Sequence, residues 1–308
     1  MTGWRASGVG VVVAAAVYLG FGAVTVGAAA GAPSASAQAS GCAGPEVLLV
    51  HDLAGTAADW DLLVADLRQA GWCPVAHEWG RPRPGDVPLP VGGLTGVEAA
   101  AVDLVRARGW DGAAVENAAE SAATSAENAA ETLAENAADA ATDTLTRGRV
   151  PVVTKGVGGL VVQRALQLSA GDSAPVDAVV TLGPVWNGTN LAGIADVEDL
   201  SRELGTFDAI LAWERTWMDP LCEGCREAVR GSETLTSLHR DGIRTPGVAY
   251  TDIASVTDLL VHPPLEQSPP GTDLRVVPQT FRSLPVWHGE LGRDPASRAM
   301  VLNALGPT

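Results

Sequence analysis

Basic residues are scarce in this chain of 308 residues: 20 Lys and Arg stand against 36 Asp and Glu, a formal net charge of -16. A nucleic acid or an anionic membrane is therefore repelled over most approaches, which excludes a reader of phosphates. Aromatics are few, at 5%, and of these nine are Trp against two Tyr and three Phe; the large anchors of a core are tryptophans. Only four cysteines occur, and no second Cys or His pair stands at a metal-ligand spacing beside Cys222 and Cys225, which argues against zinc. No Lys-Ser or Lys-Thr follows the glycines of 156–159, which argues against a phosphate-cradling loop, and no cofactor signature is present. What is plentiful is apolar sequence: 46% hydrophobic content supports a packed core and excludes disorder throughout, and 35 Gly with 20 Pro indicate a turn-rich fold.

The N-terminus addresses the chain to a compartment. Arg5 is the only charge before Glu46, and an apolar Val/Ala/Gly run over 8–32 is followed by Pro33 and small residues. That order predicts a signal peptide over 1–37, cut after Ala37, leaving one domain over 38–308 in the secreted or envelope compartment; an uncleaved anchor is the rival. Four cysteines in an exported chain should pair. Three pairings exist, and Cys42 with Cys73 and Cys222 with Cys225 are the favoured bonds.

Period and punctuation predict alternating elements. EVLLV at 46–50 reads as a buried strand, 58–70 as a helix closed by Gly71, and 73–76 as a second strand. A Pro/Gly loop over 82–93 precedes a helix over 96–108. Strands follow at 150–153 and 176–182, separated by a glycine-rich turn at 156–159 and a helix. Strands apolar on both faces, alternating with helices, predict a parallel α/β sheet covered by helices. The segment 111–147 departs from this scheme: its first 36 residues hold 14 Ala, eight acids and no base, with an eleven-residue repeat beginning ENAAESAATSA. It reads as an inserted acidic helical or disordered arm, too poor in large apolar residues to bury much, and as a surface for a possible partner helix.

Strand, glycine turn and helix make the setting of a nucleophile elbow, in which Gly-x-Ser-x-Gly holds a serine on a sharp bend. Here the run is Thr154-Lys155-Gly156-Val157-Gly158, so Gly156 occupies the serine position and offers no side chain. Taken with VLLVHDLAGTAADW, AGWCPVAHEWG, NGTN, CEGC, YTDIASVTD and VWHGEL, the chain resembles the secreted α/β-hydrolase lipases and esterases of actinobacteria, often called class 2 lipases. The resemblance covers everything from Cys42 onward except the alanine-rich arm. It implies an α/β-hydrolase fold, a triad acid at Asp258, a triad base at His288, and backbone oxyanion donors at Leu53 and Val157. Departures from the pattern are Gly156 for the serine, Lys155 for the histidine before it, Asp52 for the glycine after His51, and Phe281 for a cysteine.

Three functions compete on these residues. The first is a lipase-like protein that has lost its nucleophile and binds a lipid, an ester or a protein. The second is an ester hydrolase with residual activity, in which Asp258 and His288 activate water or Thr154 supplies a hydroxyl. The third is an envelope interaction protein working through the arm. Trp213 and Trp217, four residues apart, are expected to bury one helix face.

Overall fold

The computed structural model describes residues 42–81, 90–110, 149–169, 175–190, 194–261, 263–279 and 285–308. The expected signal peptide, the arm over 111–147 and Phe281 lie outside the described residues, as does most of the 82–93 loop. Within them, six strands form one sheet: β1 (Glu46–Val50), β2 (Cys73–His77), β3 (Val150–Lys155), β4 (Val176–Leu182), β5 (Ala249–Ala254) and β6 (Asp273–Val276). Their order is β2-β1-β3-β4-β5-β6, and every pairing is parallel.

The period of two in β1 explains why the sheet is covered on both sides. Val47 and Leu49 enter one apolar cluster with Trp60, Leu63 and Leu67, whereas Leu48 and Val50 enter the other with Leu104, Leu160 and Val161. On the first face lie α1 (Asp61–Gln69) and α8 (Pro295–Leu305); on the second lie α2 (Val97–Arg108) and α3 (Gly158–Leu168). The helix expected over 58–70 is split, with a 3-10 turn at Ala57–Trp60 leading into α1. Between β4 and β5 the chain leaves the sheet for α4 (Ile194–Glu203), α5 (Phe207–Trp217), α6 (Asp219–Glu227) and α7 (Glu233–Asp241). Both favoured disulfides are present, Cys42–Cys73 and Cys222–Cys225.

The expected burial of Trp213 and Trp217 is corrected: they are 52% and 66% exposed. The reason is that α4 and α5 turn their polar side inward, burying Glu198, Ser201 and Glu214, and leave Val197, Leu200, Leu204, Trp213, Trp217 and, on α6, Leu221 on the outside. Among the described residues no helix is long and apolar enough to cross a membrane.

The strand order reverses direction between β1 and β3, and the carboxyl ends of strands at such a switch point are where open α/β sheets place ligands. The elbow after β3, an acid after β5 and a histidine beyond β6 complete the α/β-hydrolase arrangement.

Candidate active site

β1 and β3 pair with Val50 opposite Thr154. Two residues farther on, past the ends of the rungs, stand Asp52 and Gly156, so the side chain of the first meets the empty position of the second. Gly156 turns the chain into α3 with φ of +49°, a left-handed backbone in which glycine costs nothing. A Cβ at Gly156 would lie 2.1 Å from Asp52 Oδ1, so the Asp52 carboxylate fills the space a serine side chain would need.

That carboxylate is fully engaged. Oδ1 accepts the N–H of Leu53 at 2.8 Å and the N–H of Val157 at 2.8 Å. Oδ2 lies 2.7 Å from Nε2 of His288, and Nδ1 of the same ring lies 2.7 Å from Oδ2 of Asp258. The other oxygen of Asp258 accepts two N–H groups, from Leu260 and Val261, which fix the acid on its loop after β5. Asp52, Asp258 and His288 are all buried. The ring fits only because the turn after β4 carries Gly183, with φ of +60°; a Cβ there would stand 2.7 Å from His288 Nδ1.

The electrostatics follow from this sandwich. Burial alone would lower the His288 pKa, but the Asp52 charge and the hydrogen bonds to Asp258 and Asp52 override it and raise the ring to about 9. For Asp52 burial pushes upward, yet the His288 charge and hydrogen bond, with Lys155 and the Val157 N–H, bring its carboxyl below the ordinary value. At neutral pH the ring of His288 is thus an imidazolium facing the Asp52 carboxylate. Such a ring already holds the proton that a general base must accept, and both its nitrogens are occupied.

A second histidine braces Asp52 from behind. His51 Nε2 accepts the N–H of Trp79 at 3.2 Å, which leaves Nδ1 to donate to the Asp52 carbonyl at 2.8 Å. The His51 ring stacks on Trp79 with centroids 5.6 Å apart, and the Trp79 indole N–H donates to the His51 carbonyl. Burial lowers the His51 pKa, in keeping with a neutral ring in this tautomer.

The structure therefore brings together the sequence-predicted Asp258, His288, Gly156, Leu53 and Val157. Thr154 does not join them: it is buried and donates to the Thr181 hydroxyl. In the sequence Asp52 stood only as a departure from the glycine after His51, and the structure shows its carboxylate accepting the Leu53 and Val157 N–H groups. Gly183 and the His51–Trp79 brace were not anticipated. The parallel register was the signal that could have found Asp52, because it sets residue 52 against residue 156. Among the described residues no group of His, Cys, Asp and Glu has the arrangement of a metal site.

No family model matches the chain. A stretch of 121 residues, 39% of this chain, is 31% identical to lipase B of Pseudozyma antarctica and spans 30% of that protein's length. Lipase B of Aspergillus fumigatus is similar in structure, with a TM-score of 0.49 at 16% identity, covering 86% of this chain and 54% of the other. The monoacylglycerol lipase of Paleococcus ferrophilus gives a TM-score of 0.44 at 15% identity, over 84% of this chain and 94% of that one. The parallel sheet order with its elbow is that of an α/β-hydrolase fold, and the likeness to lipase B is confined to 39% of the chain.

Proposed function

We propose that this protein is a lipase-like α/β-hydrolase that no longer performs serine acyl transfer and that acts by binding a lipid or ester ligand. The observation that carries the reading is the Asp52 carboxylate: it occupies the volume of a Gly156 side chain and takes the two N–H groups that would hold the oxyanion of an acyl substrate. With no hydroxyl at position 156 and a protonated ring at His288, neither the nucleophile nor the base of ester hydrolysis is present. Ligand binding is supported by the outward apolar residues of α4 to α6, Val197, Leu200, Trp213, Trp217 and Leu221. Export through a signal peptide over 1–37 remains part of the proposal, supported by the two disulfides.

The test is labelling by a serine-directed fluorophosphonate together with hydrolysis of p-nitrophenyl butyrate. The wild-type protein should show neither. Stoichiometric labelling at any serine overturns the reading.

A further inference from the structure

Helix α5 is attached to the rest of the chain through an acid. Of its 11 residues only Glu214 is buried, at 3% exposure, while Trp213 and Trp217 face outward and Phe207, Ile210 and Leu211 are half-buried. The Glu214 carboxyl meets that of Glu198 on α4, itself 2% exposed, in a hydrogen bond between the two side chains. A pair of bare carboxylates has no proton to share, so this contact exists only while one member is protonated. Without that proton two buried like charges stand against each other and repel.

The groups around the pair leave that repulsion in place. From α4, Arg202 gives one N–H to Glu198 at 2.8 Å and another to Asp199 at 2.8 Å, with its guanidinium over the Phe207 ring. Arg202 thus favours the charge on Glu198, which leaves Glu214 to carry the proton. From α6, Arg226 spends two N–H groups on Asp219, at 2.7 and 3.2 Å. On α7, Glu233 is exposed and pairs with Arg215, the residue after Glu214. Among the described residues no N–H or hydroxyl donor reaches Glu214 Oε2. Burial, and then Glu198, push the Glu214 carboxyl up to about 7 against the opposing charges of Arg226 and Arg202.

We propose that Glu198 and Glu214 form a proton-operated latch, which fastens α5 to α4 while the shared proton is present and releases the helix as pH rises. The inference lies outside the Asp52 site and goes beyond the ligand-binding reading, adding control over the helix that carries Trp213 and Trp217. Linkage sets its direction. The fastened helix binds the proton more tightly than the released one, in which Glu214 returns to the ordinary carboxyl value of 4.5. Opening therefore releases a proton between 4.5 and about 7. Its equilibrium constant rises by up to about tenfold per pH unit across that window and levels off above it.

Hydrogen–deuterium exchange of the full chain between pH 5 and pH 8, read by mass spectrometry as protection factors so that intrinsic amide chemistry is removed, tests the latch. Peptides covering Phe207–Trp217 should lose at least about tenfold in protection over that range, while peptides of α2 and α3 keep theirs. Glu214→Gln, whose amide donates to Glu198 without a titrating proton, should hold α5 with a protection that is flat with pH. If that variant does not fold, the wild-type series carries the test by itself. Protection of α5 that is unchanged between pH 5 and pH 8, a loss spread equally over α2, α3 and α5, or the same pH response in Glu214→Gln overturns the proposal.

Discussion

Gly156→Ser alone should not restore a working serine, although it supplies the side chain the elbow lacks. At φ of +49° a non-glycine residue costs about 1–2 kcal/mol. The new Cβ, 2.1 Å from Asp52 Oδ1, must also expel the carboxylate from a seat with three partners. Hydrogen bonds to a charged group are worth roughly 1.5–3 kcal/mol each, and rehydration of the displaced carboxylate offsets part of their loss. The single variant should therefore lose about 3–5 kcal/mol, a fall in Tm of roughly 6–20 °C for a chain of this size. Adding Asp52→Gly clears the volume, frees the Leu53 and Val157 N–H groups, and removes the charge that keeps His288 protonated. The double variant should melt higher than Gly156→Ser, with a coupling of about 0.5–3 kcal/mol between the two sites. It should also hydrolyse p-nitrophenyl butyrate at least about tenfold faster than the single variant, with fluorophosphonate labelling confined to Ser at position 156. Differential scanning fluorimetry and a colorimetric esterase assay read both. A Gly156→Ser protein that melts at the wild-type temperature, or that matches the double variant in activity, would refute the steric argument.

Removing the Cys42–Cys73 bond, which spans 31 residues, should lower unfolding free energy by about 3–4 kcal/mol, and removing Cys222–Cys225 by about 2 kcal/mol, on the chain-entropy scale; urea titration of the paired Cys→Ser variants measures both, and a reversed order would contradict the estimate. Glu214, buried and pushed up to about 7 by burial and by Glu198, is favoured as the neutral acid in the folded state. Its contribution is present below the unfolded carboxyl range and lost as pH rises through about 7, with Arg202 and Arg226 opposing the rise. Glu214→Gln should therefore melt higher than wild type at pH 8 and show no such gain at pH 4; equal profiles would sink this assignment. His288 is the converse group on the basic side: a ring raised to about 9 stabilises fully below its unfolded value of 6.5 and loses that contribution as pH rises through 9, so Tm should fall between pH 7 and 9.5 in wild type and less in His288→Asn.

Much of the fold was legible because its signals are local. The apolar runs at 46–50, 150–153 and 176–182 have no polar face, which only a sheet covered on both sides accommodates, and all three are strands. Asp258 and His288 could be named because YTDIASVTD and VWHGEL resemble motifs of the lipase family, in its chain order. The disulfides followed from the expectation of export and from a local Cys-x-x-Cys. What was not legible was direction. Trp213 and Trp217 sit at helical spacing, which fixes that they share a face but not that the face looks outward while Glu198 and Glu214 look in. The role of Asp52 was hidden for a similar reason: whether its carboxylate opposes the oxyanion donors or bonds to them depends on a side-chain direction set by the β1–β3 register. Absence of Cβ at Gly156 and presence of a carboxylate at Asp52 read as two separate departures in one dimension, and as one exchange in three.

The Asp52 carboxylate, two residues past β1, fills the space a side chain at Gly156 would need and stands against the His288 ring. Proton and nitrogen NMR of the His288 ring tests this placement most directly. Both ring nitrogens should be protonated at pH 7.5, with titration near 9 and a marked fall of that value in Asp52→Asn. A neutral ring at pH 7.5 that titrates near 6.5 and ignores Asp52→Asn would contradict it.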